Sequence, residues 1–245
     1  MAAIACRNQG SRLYGKPIQN LDEINGITIL DNIVECLKSI SCIDEIVLGI
    51  AEGVENEVFK RIAAEKGLRY IIGDEEDVLG RLISCGEIGQ ATDIFRVTSE
   101  SPFLYFEPVE DLWIRYQVEG RDAIFMEEIV DGCGFEIISI STLLRSHRNG
   151  ETRHRSEFCS LYIRENLNMF NVLKMLPPET LIRKDLRLTV DNPEDLVVCR
   201  TLYKHFKSLA PRIPLDKLIE YLDEHPNLKT LVDPFTELGY SSMNL

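Results

Sequence analysis

The chain has 245 residues, of which 44% are apolar, 27% charged and 8% aromatic. That is long enough to bury a full core without disulfide staples, and too apolar for a wholly disordered chain. Its 27 basic and 40 acidic residues leave a net charge of −13, which argues against a nucleic-acid-binding surface, because that affinity is built from many Lys and Arg contacts to phosphate. A local basic pocket for one small anion remains compatible with this balance.

The apolar start, Met1–Cys6, breaks off at Arg7, too short for the apolar region of a signal peptide. No later stretch reaches the length of a membrane span. The expectation is a cytoplasmic protein without membrane insertion. Short β-branched runs then alternate with helical patterns, as in a parallel sheet covered by helices. Strands are predicted at Ala2–Cys6, Glu45–Ile50, Arg69–Ile72, Ile94–Thr98 and Ala123–Phe125. Helices are predicted at Ile29–Ser39, where Leu30, Ile33, Val34 and Leu37 share a face, at Glu55–Lys66 before Gly67, and at Asp77–Ile88 before Gly89.

Beyond Phe125 the alternation loosens: Phe135–Ser141 reads as a strand, Ser141–Ser146 as a short helix and Glu157–Glu165 as another. Residues 145–156, with Arg145, His147, Arg148, Arg153, His154 and Arg155 around Asn149-Gly150, read as a polar turn outside the core. An excursion from the main sheet is expected there. His147 and His154 read as polar groups at the surface. The chain returns through a strand at Leu186–Val190, and Asn192-Pro193 starts a helix to about Phe206. A last helix begins near Pro214, with Leu215, Leu218, Ile219 and Leu222 on one face. With no internal repeat or linker, one domain over 1–245 is expected, with the excursion at about 130–180. The seven cysteines lack any C-x-x-C spacing and lie in or beside apolar runs. They read as reduced, buried thiols rather than metal or redox groups.

The densest unusual segment is Arg7-Asn8-Gln9-Gly10-Ser11-Arg12-Leu13-Tyr14-Gly15-Lys16, with two glycines, three cations and no acid. It follows the first strand, at the sheet edge where such folds bind ligands. Glycine lets backbone N–H groups approach an anion, and Arg7, Arg12 and Lys16 are suited to neutralising a triphosphate. The alternative is a solvated basic loop; the position after the first strand favours anion binding. A P-loop is excluded because Pro17 replaces the hydroxyl residue after Lys16. Glu100 and Asp191 each follow a predicted strand and would face the same rim, a pair able to hold magnesium against a triphosphate. Taken singly, each also reads as a cap or turn residue.

These segments together resemble the cytidylyltransferases that activate sugar acids, especially the branch named for the spore-coat polysaccharide biosynthesis protein SpsF. The opening from Ala5 to Lys16 is similar to A-R-x-G-S-x-R-L-P-G-K, and Gly73–Arg81 to G-x-x-x-D-V-L-G-R. Arg96–Pro102 is similar to R-V-T-G-D-C-P, and Leu188–Leu196 to L-T-V-D-T-P-E-D-L. The resemblance implies an α/β, Rossmann-like nucleotidyltransferase fold: a mostly parallel central sheet flanked by helices, with a small excursion for dimerisation. It implies transfer of CMP from CTP to an anionic acceptor (sugar acid, sugar phosphate or phosphonate) with release of pyrophosphate, in surface polysaccharide or glycan precursor synthesis.

On this resemblance Arg7, Arg12 and Lys16 are catalytic, and Arg7, Gly10, Ser11, Arg12, Lys16, Asp77 and Arg81 bind the nucleotide, with Asp77 and Arg81 near the nucleotide or the acceptor. Glu100 and Asp191 hold Mg2+. Such transfer rests on in-line positioning and charge neutralisation. A homodimer is implied, with residues 145–155 and Cys159–Tyr162 as candidate contacts; a solvated basic turn is the alternative for the first. The chain departs from the pattern at four places. Ser99-Glu100 replaces a Gly-Asp pair, Gly134 an acid, Phe158 a histidine and Tyr14 a proline. The second and third imply a changed acceptor. Two other readings stay open: the same reaction with another nucleoside triphosphate, and a non-catalytic nucleotide-binding relative acting as a scaffold.

Overall fold

The structure, a computed structural model, describes residues 1–10 and 12–243, with side chains described as far as residue 237. Strand β1 (Ala2–Cys6) leads through the glycine-containing loop to a small ribbon of β2 (Asn20–Asp22) and β3 (Ile27–Thr28), then to helix α1 (Ile29–Lys38). The units β4 (Ile46–Ala51), α2 (Glu57–Lys66), β5 (Arg69–Gly73), α3 (Val78–Ile88), β6 (Asp93–Thr98), α4 (Val109–Glu119) and β7 (Ala123–Met126) follow. The second half comprises β8 (Glu136–Ser139), α5 (Ile140–Asn149), α6 (Leu161–Glu165), β9 (Val172–Met175), α7 (Pro193–His205), α8 (Leu215–Glu224) and α9 (Pro226–Met243).

Seven strands form one sheet in the order β5-β4-β1-β6-β8-β7-β9. All neighbours pair in parallel except β8, which is antiparallel to β6 and β7. This is the mostly parallel, helix-flanked architecture that the sequence pattern implied. Because successive strand residues face opposite sides, the core splits in two: Ile4, Leu48 and Ile50 pack with α1 residues Leu30, Ile33, Val34 and Leu37 on one face. Ala3, Val47 and Phe125 pack with α3 residues Leu79 and Leu82 on the other. Local signals place the helices. Thr28 and Asp31 form a capping box on α1, and Asn192 and Asp195 do the same on α7, where Pro193 takes the first position. All seven cysteines are free and six are buried. No helix among the described residues is long and apolar enough to cross a membrane.

The structure corrects several expectations. Leu186–Val190 is extended but joins no ladder: it makes one isolated bridge, Asp131 with Arg187. It lies against loops rather than a strand, with Leu188 N donating to Asp131 O at 2.8 Å and Val190 N to Glu100 O at 3.1 Å. Residues 145–156 are not a simple polar turn. Helix α5 runs to Asn149, and a 3-10 turn at Thr152–Arg155 buries His154, 3% exposed, against Glu165 at 2.9 Å. Besides the short β2–β3 ribbon, three elements have no counterpart in the sequence reading. In α4, the exposed Ile114 and Val118 blur the apolar stripe; β9 is a four-residue edge strand with Lys174 outward; and α9 carries Pro234 inside it, which reads as a break.

Candidate active site

Strand β1 has β4 on one side and β6 on the other, so the chain order reverses between β1 and β6. Such a switch point opens a crevice at the carboxyl rim. The loop of residues 7–16 leaves β1 there, and Ser99-Glu100 leaves β6 beside it. The loop is tightly folded: Gly15 N donates to Asn8 O at 2.8 Å, and a Cβ on Gly10 would lie 2.4 Å from Leu13 O, so only glycine fits. Its first residues are pinned to the segment after β4 by side-chain amides. Asn8 N donates to Asn56 Oδ1 at 2.8 Å, and Asn56 Nδ2 donates to Gln9 Oε1 at 3.2 Å.

Two of the loop's three cations, Arg12 and Lys16, converge on the segment before α7. Lys16 Nζ lies 2.5 Å from Asp191 Oδ1, and Arg12 reaches the same oxygen at 3.3 Å. Arg187 donates to the other oxygen, Oδ2. Burial alone would raise the Asp191 carboxyl; the hydrogen bond and charge of Lys16, with Arg187 and Arg12, reverse this and hold it below its ordinary value. Glu100 is brought alongside through the Val190–Glu100 backbone bond. Ser99 Oγ donates to its Oε2 at 3.1 Å. Burial, reinforced by the nearby Asp191 charge and opposed by Lys16, pushes the Glu100 carboxyl up. The structure therefore gathers Arg12, Lys16, Glu100 and Asp191 at one rim. Ser11 lies outside the described residues.

The other candidates sit around this group. Arg7 is half-exposed and reaches Glu157 in the excursion at 3.4 Å. Arg81 is buried below the rim, its guanidinium donating to the carbonyls of Cys6, Gly49 and Glu75 at 3.2, 3.0 and 3.3 Å. It thus ties the ends of β1 and β4 together rather than facing the crevice, and burial lowers its pKa. Asp77 caps α3 through Gly80 N at 2.7 Å and meets His147 Nε2 at 2.7 Å.

Two groups were not singled out from sequence. Arg187, 2% exposed at its side chain, donates to Asp131 at 2.8 Å and Asp195 at 3.0 Å as well as to Asp191. A lone arginine between Leu186 and Leu188 was the available signal, since a charge inside an apolar run has to be paired. The second group lies between β6, β8 and the excursion. Glu136 receives Arg96 and Arg164, each at 3.0 Å, and Ser160 Oγ at 2.6 Å. Burial would raise Glu136, but the two arginines outweigh it and lower its pKa. Arg96 also donates to Glu157 O at 2.9 Å, so Arg7 and Arg96 both hold the excursion against the rim.

The mostly parallel, helix-flanked sheet reversing at β1 and β6 matches the Rossmann-like nucleotidyltransferase fold. No protein-family model matches the chain. A cytidylyltransferase from Leptospira borgpetersenii superposes with a TM-score of 0.80 at 21% identity, over 93% of this chain and 94% of that one. A CMP:2-keto-3-deoxy-manno-octonic acid synthetase, solved with CTP, superposes with a TM-score of 0.64 at 14% identity, over 84% and 98%. In sequence, the chain is 27% identical over 238 residues to an uncharacterized protein of Methanocaldococcus jannaschii, 97% of this chain and 96% of that one. It is 24% identical over 232 residues to the spore coat polysaccharide biosynthesis protein SpsF of Bacillus subtilis, 93% and 95%. The chain is thus similar to SpsF in sequence and to these two cytidylyltransferase structures in fold. The resemblance read from the four motifs agrees with this.

Proposed function

We propose that the protein is a CTP-dependent cytidylyltransferase that transfers CMP to an anionic acceptor, a sugar acid, sugar phosphate or phosphonate, in the synthesis of a surface polysaccharide or glycan precursor. The observation that carries this reading is the convergence of Arg12 and Lys16 with Glu100 and Asp191 at the switch point. An acceptor oxygen attacks the α-phosphorus, the bond to the bridging oxygen breaks, and pyrophosphate leaves. Arg12 and Lys16 hold the triphosphate and offset the charge that grows on the leaving pyrophosphate. The glycine loop contributes backbone N–H groups, and Arg7 and Arg96, both joined to Glu157, border the space where an anionic acceptor would enter.

The residues fit a divalent cation. Glu100 is a partly buried carboxylate with no ion pair among the described residues, beside the second carboxylate of Asp191. Magnesium takes one or two protein carboxylates and completes its shell with water and phosphate oxygens, so a cage of three protein ligands is not required. Glu100 and Asp191 would hold it, and it would supply charge neutralisation on the phosphates. A homodimer formed through the excursion belongs to the same reading; the exposed Leu144, Leu167 and Met169 there support it, and light scattering tests it.

Incubation with each nucleoside triphosphate, Mg2+ and a panel of anionic acceptors, followed by a pyrophosphate assay, tests the reaction. Release with CTP and at least one acceptor is the expected result. Release only with another triphosphate would reassign the base, and none under any condition would favour a non-catalytic binding protein.

A further inference from the structure

The loop cations that the proposed function assigns to the triphosphate already have a partner. Asp191 Oδ1 takes Lys16 at 2.5 Å and Arg12 at 3.3 Å. The two sides of this contact differ in rigidity. On one side, Asp191 is fixed: its amide donates to Asp195 Oδ2 at 2.9 Å, and its Oδ2 is held by Arg187, which is itself locked by Asp131 and Asp195. On the other side, Arg12 is 54% exposed and sits on the glycine-containing loop. Glu100, next to Asp191, makes no ion pair among the described residues.

We propose that Asp191 is the resident counter-ion of the phosphate loop, occupying Lys16 and Arg12 until a polyphosphate displaces it, and that this exchange makes polyphosphate and divalent-cation binding mutually dependent. The inference rests on the reading of the loop as a triphosphate site. When phosphate oxygens take Lys16 and Arg12, Asp191 cannot follow them, because Arg187 and Asp195 keep it in place. Its Oδ1 is then left bare beside the Glu100 carboxylate, and these two carboxylates, with only an Arg187 that Asp191 shares with Asp131 and Asp195 to offset them, repel a facing polyphosphate strongly. A divalent cation relieves that repulsion. Without polyphosphate, Asp191 Oδ1 is already neutralised by the two loop cations, and the cation has only Glu100 to bind. Neither ligand binds well alone, and linkage requires each to raise the affinity for the other by the same factor.

Isothermal titration calorimetry with inorganic tripolyphosphate and MgCl2 tests this without a base or an acceptor, so an error in the assignment of CTP or of the acceptor does not affect the outcome. With wild-type protein, Mg2+ alone gives no measurable binding at millimolar concentration. Together with Mg2+, tripolyphosphate binds roughly tenfold or more tightly than in EDTA. Asp191→Asn leaves Arg187 paired with Asp131 and Asp195, and it binds tripolyphosphate in EDTA roughly tenfold more tightly than wild type while losing the Mg2+ enhancement. Glu100→Gln, which removes an equal charge but no cation partner, tightens the EDTA binding by a smaller factor. Mg2+ binding to the wild type alone, or equal effects of the two substitutions in EDTA, overturns the exchange. No tripolyphosphate binding under any condition overturns instead the reading of the loop on which it rests. The wild-type titrations decide the question even if Asp191→Asn does not fold.

Discussion

Val190 donates its amide to the carbonyl of Glu100 at 3.1 Å, and this one backbone bond sets the acid two residues beyond β6 beside the acid that follows Val190. Neither carboxylate is where it is through side-chain pairing with the other; both are carried there by the main chain. Burial penalises the Glu100 charge, so in the absence of ligand its removal relieves a cost. Glu100→Gln is therefore expected to melt at or above the wild-type temperature while pyrophosphate release falls by about a hundredfold or more. Differential scanning fluorimetry beside the pyrophosphate assay reads both; a marked loss of thermal stability would show that the carboxylate serves the fold.

Arg187 has the opposite character. Its guanidinium joins Asp131, Asp191 and Asp195 from inside the protein, and withdrawing it leaves three neighbouring carboxylates without the buried cation that offsets their mutual repulsion. Arg187→Met is expected to cost about 3–5 kcal/mol of unfolding free energy, measured from the shift in urea midpoint at constant slope. Arg187→Lys recovers only part of the loss, because a point charge cannot reproduce a planar fork reaching three acids.

This contrast also marks where the sequence was readable. The residues with local grammar were legible: Gly10 in a turn between a strand and a lysine, Asn192-Pro193 opening a helix, the apolar face of α1. Lys16 was legible in the cationic loop that leaves the first strand, and Glu100 and Asp191 because each follows closely on an apolar run. Asp131 and Arg187 were not, since their meaning lies in a contact between two loops that no periodicity encodes. Arg81 and Asp77, expected near a nucleotide, also make ties that the sequence did not show: three carbonyls for one, and the first turn of α3 and His147 for the other. His154 looked like a surface group because its neighbours in sequence are charged. It is Glu165, eleven residues on, that makes its burial tolerable.

Asp131 gives the cluster a pH signature. Burial raises its carboxyl from 3.8 to about 6, with Arg187 opposing the rise and Asp191, Asp195 and Glu100 reinforcing it. A carboxyl raised on folding holds its proton more tightly in the native state. Its contribution to stability is therefore fully present below pH 3.8 and lost as pH rises through about 6. Asp131→Asn lacks this titration. The stability of the wild type relative to this variant is expected to improve by up to about 3 kcal/mol between pH 7 and pH 4. Urea unfolding of both proteins across that range measures it, and a difference constant with pH would count against a raised Asp131.

Gly132 tests whether the same loop contact matters for function beyond stability. Its φ is +91°, and a Cβ there would lie 2.4 Å from Thr189 N and 2.8 Å from the Leu188 carbonyl carbon, so only glycine lets the residue after Asp131 rest on the chain leading to Asp191. Gly132→Ala has to push the two segments apart, which strains the hydrogen bond from Leu188 N to Asp131 O and shifts Asp191 relative to Glu100. The backbone conformation alone costs a non-glycine residue about 1–3 kcal/mol. Separation of the loops is expected to lower pyrophosphate release by about a further tenfold or more, since small misplacements of charged groups are expensive in catalysis. The control is Leu218→Ala, a core truncation in α8, expected to lower stability by about 2–5 kcal/mol. Assayed well below both melting temperatures, Leu218→Ala should keep near-wild-type turnover while Gly132→Ala does not. Equal turnover in the two would mean that the contact between residues 132 and 189 holds the fold together without setting the distance between the two acids.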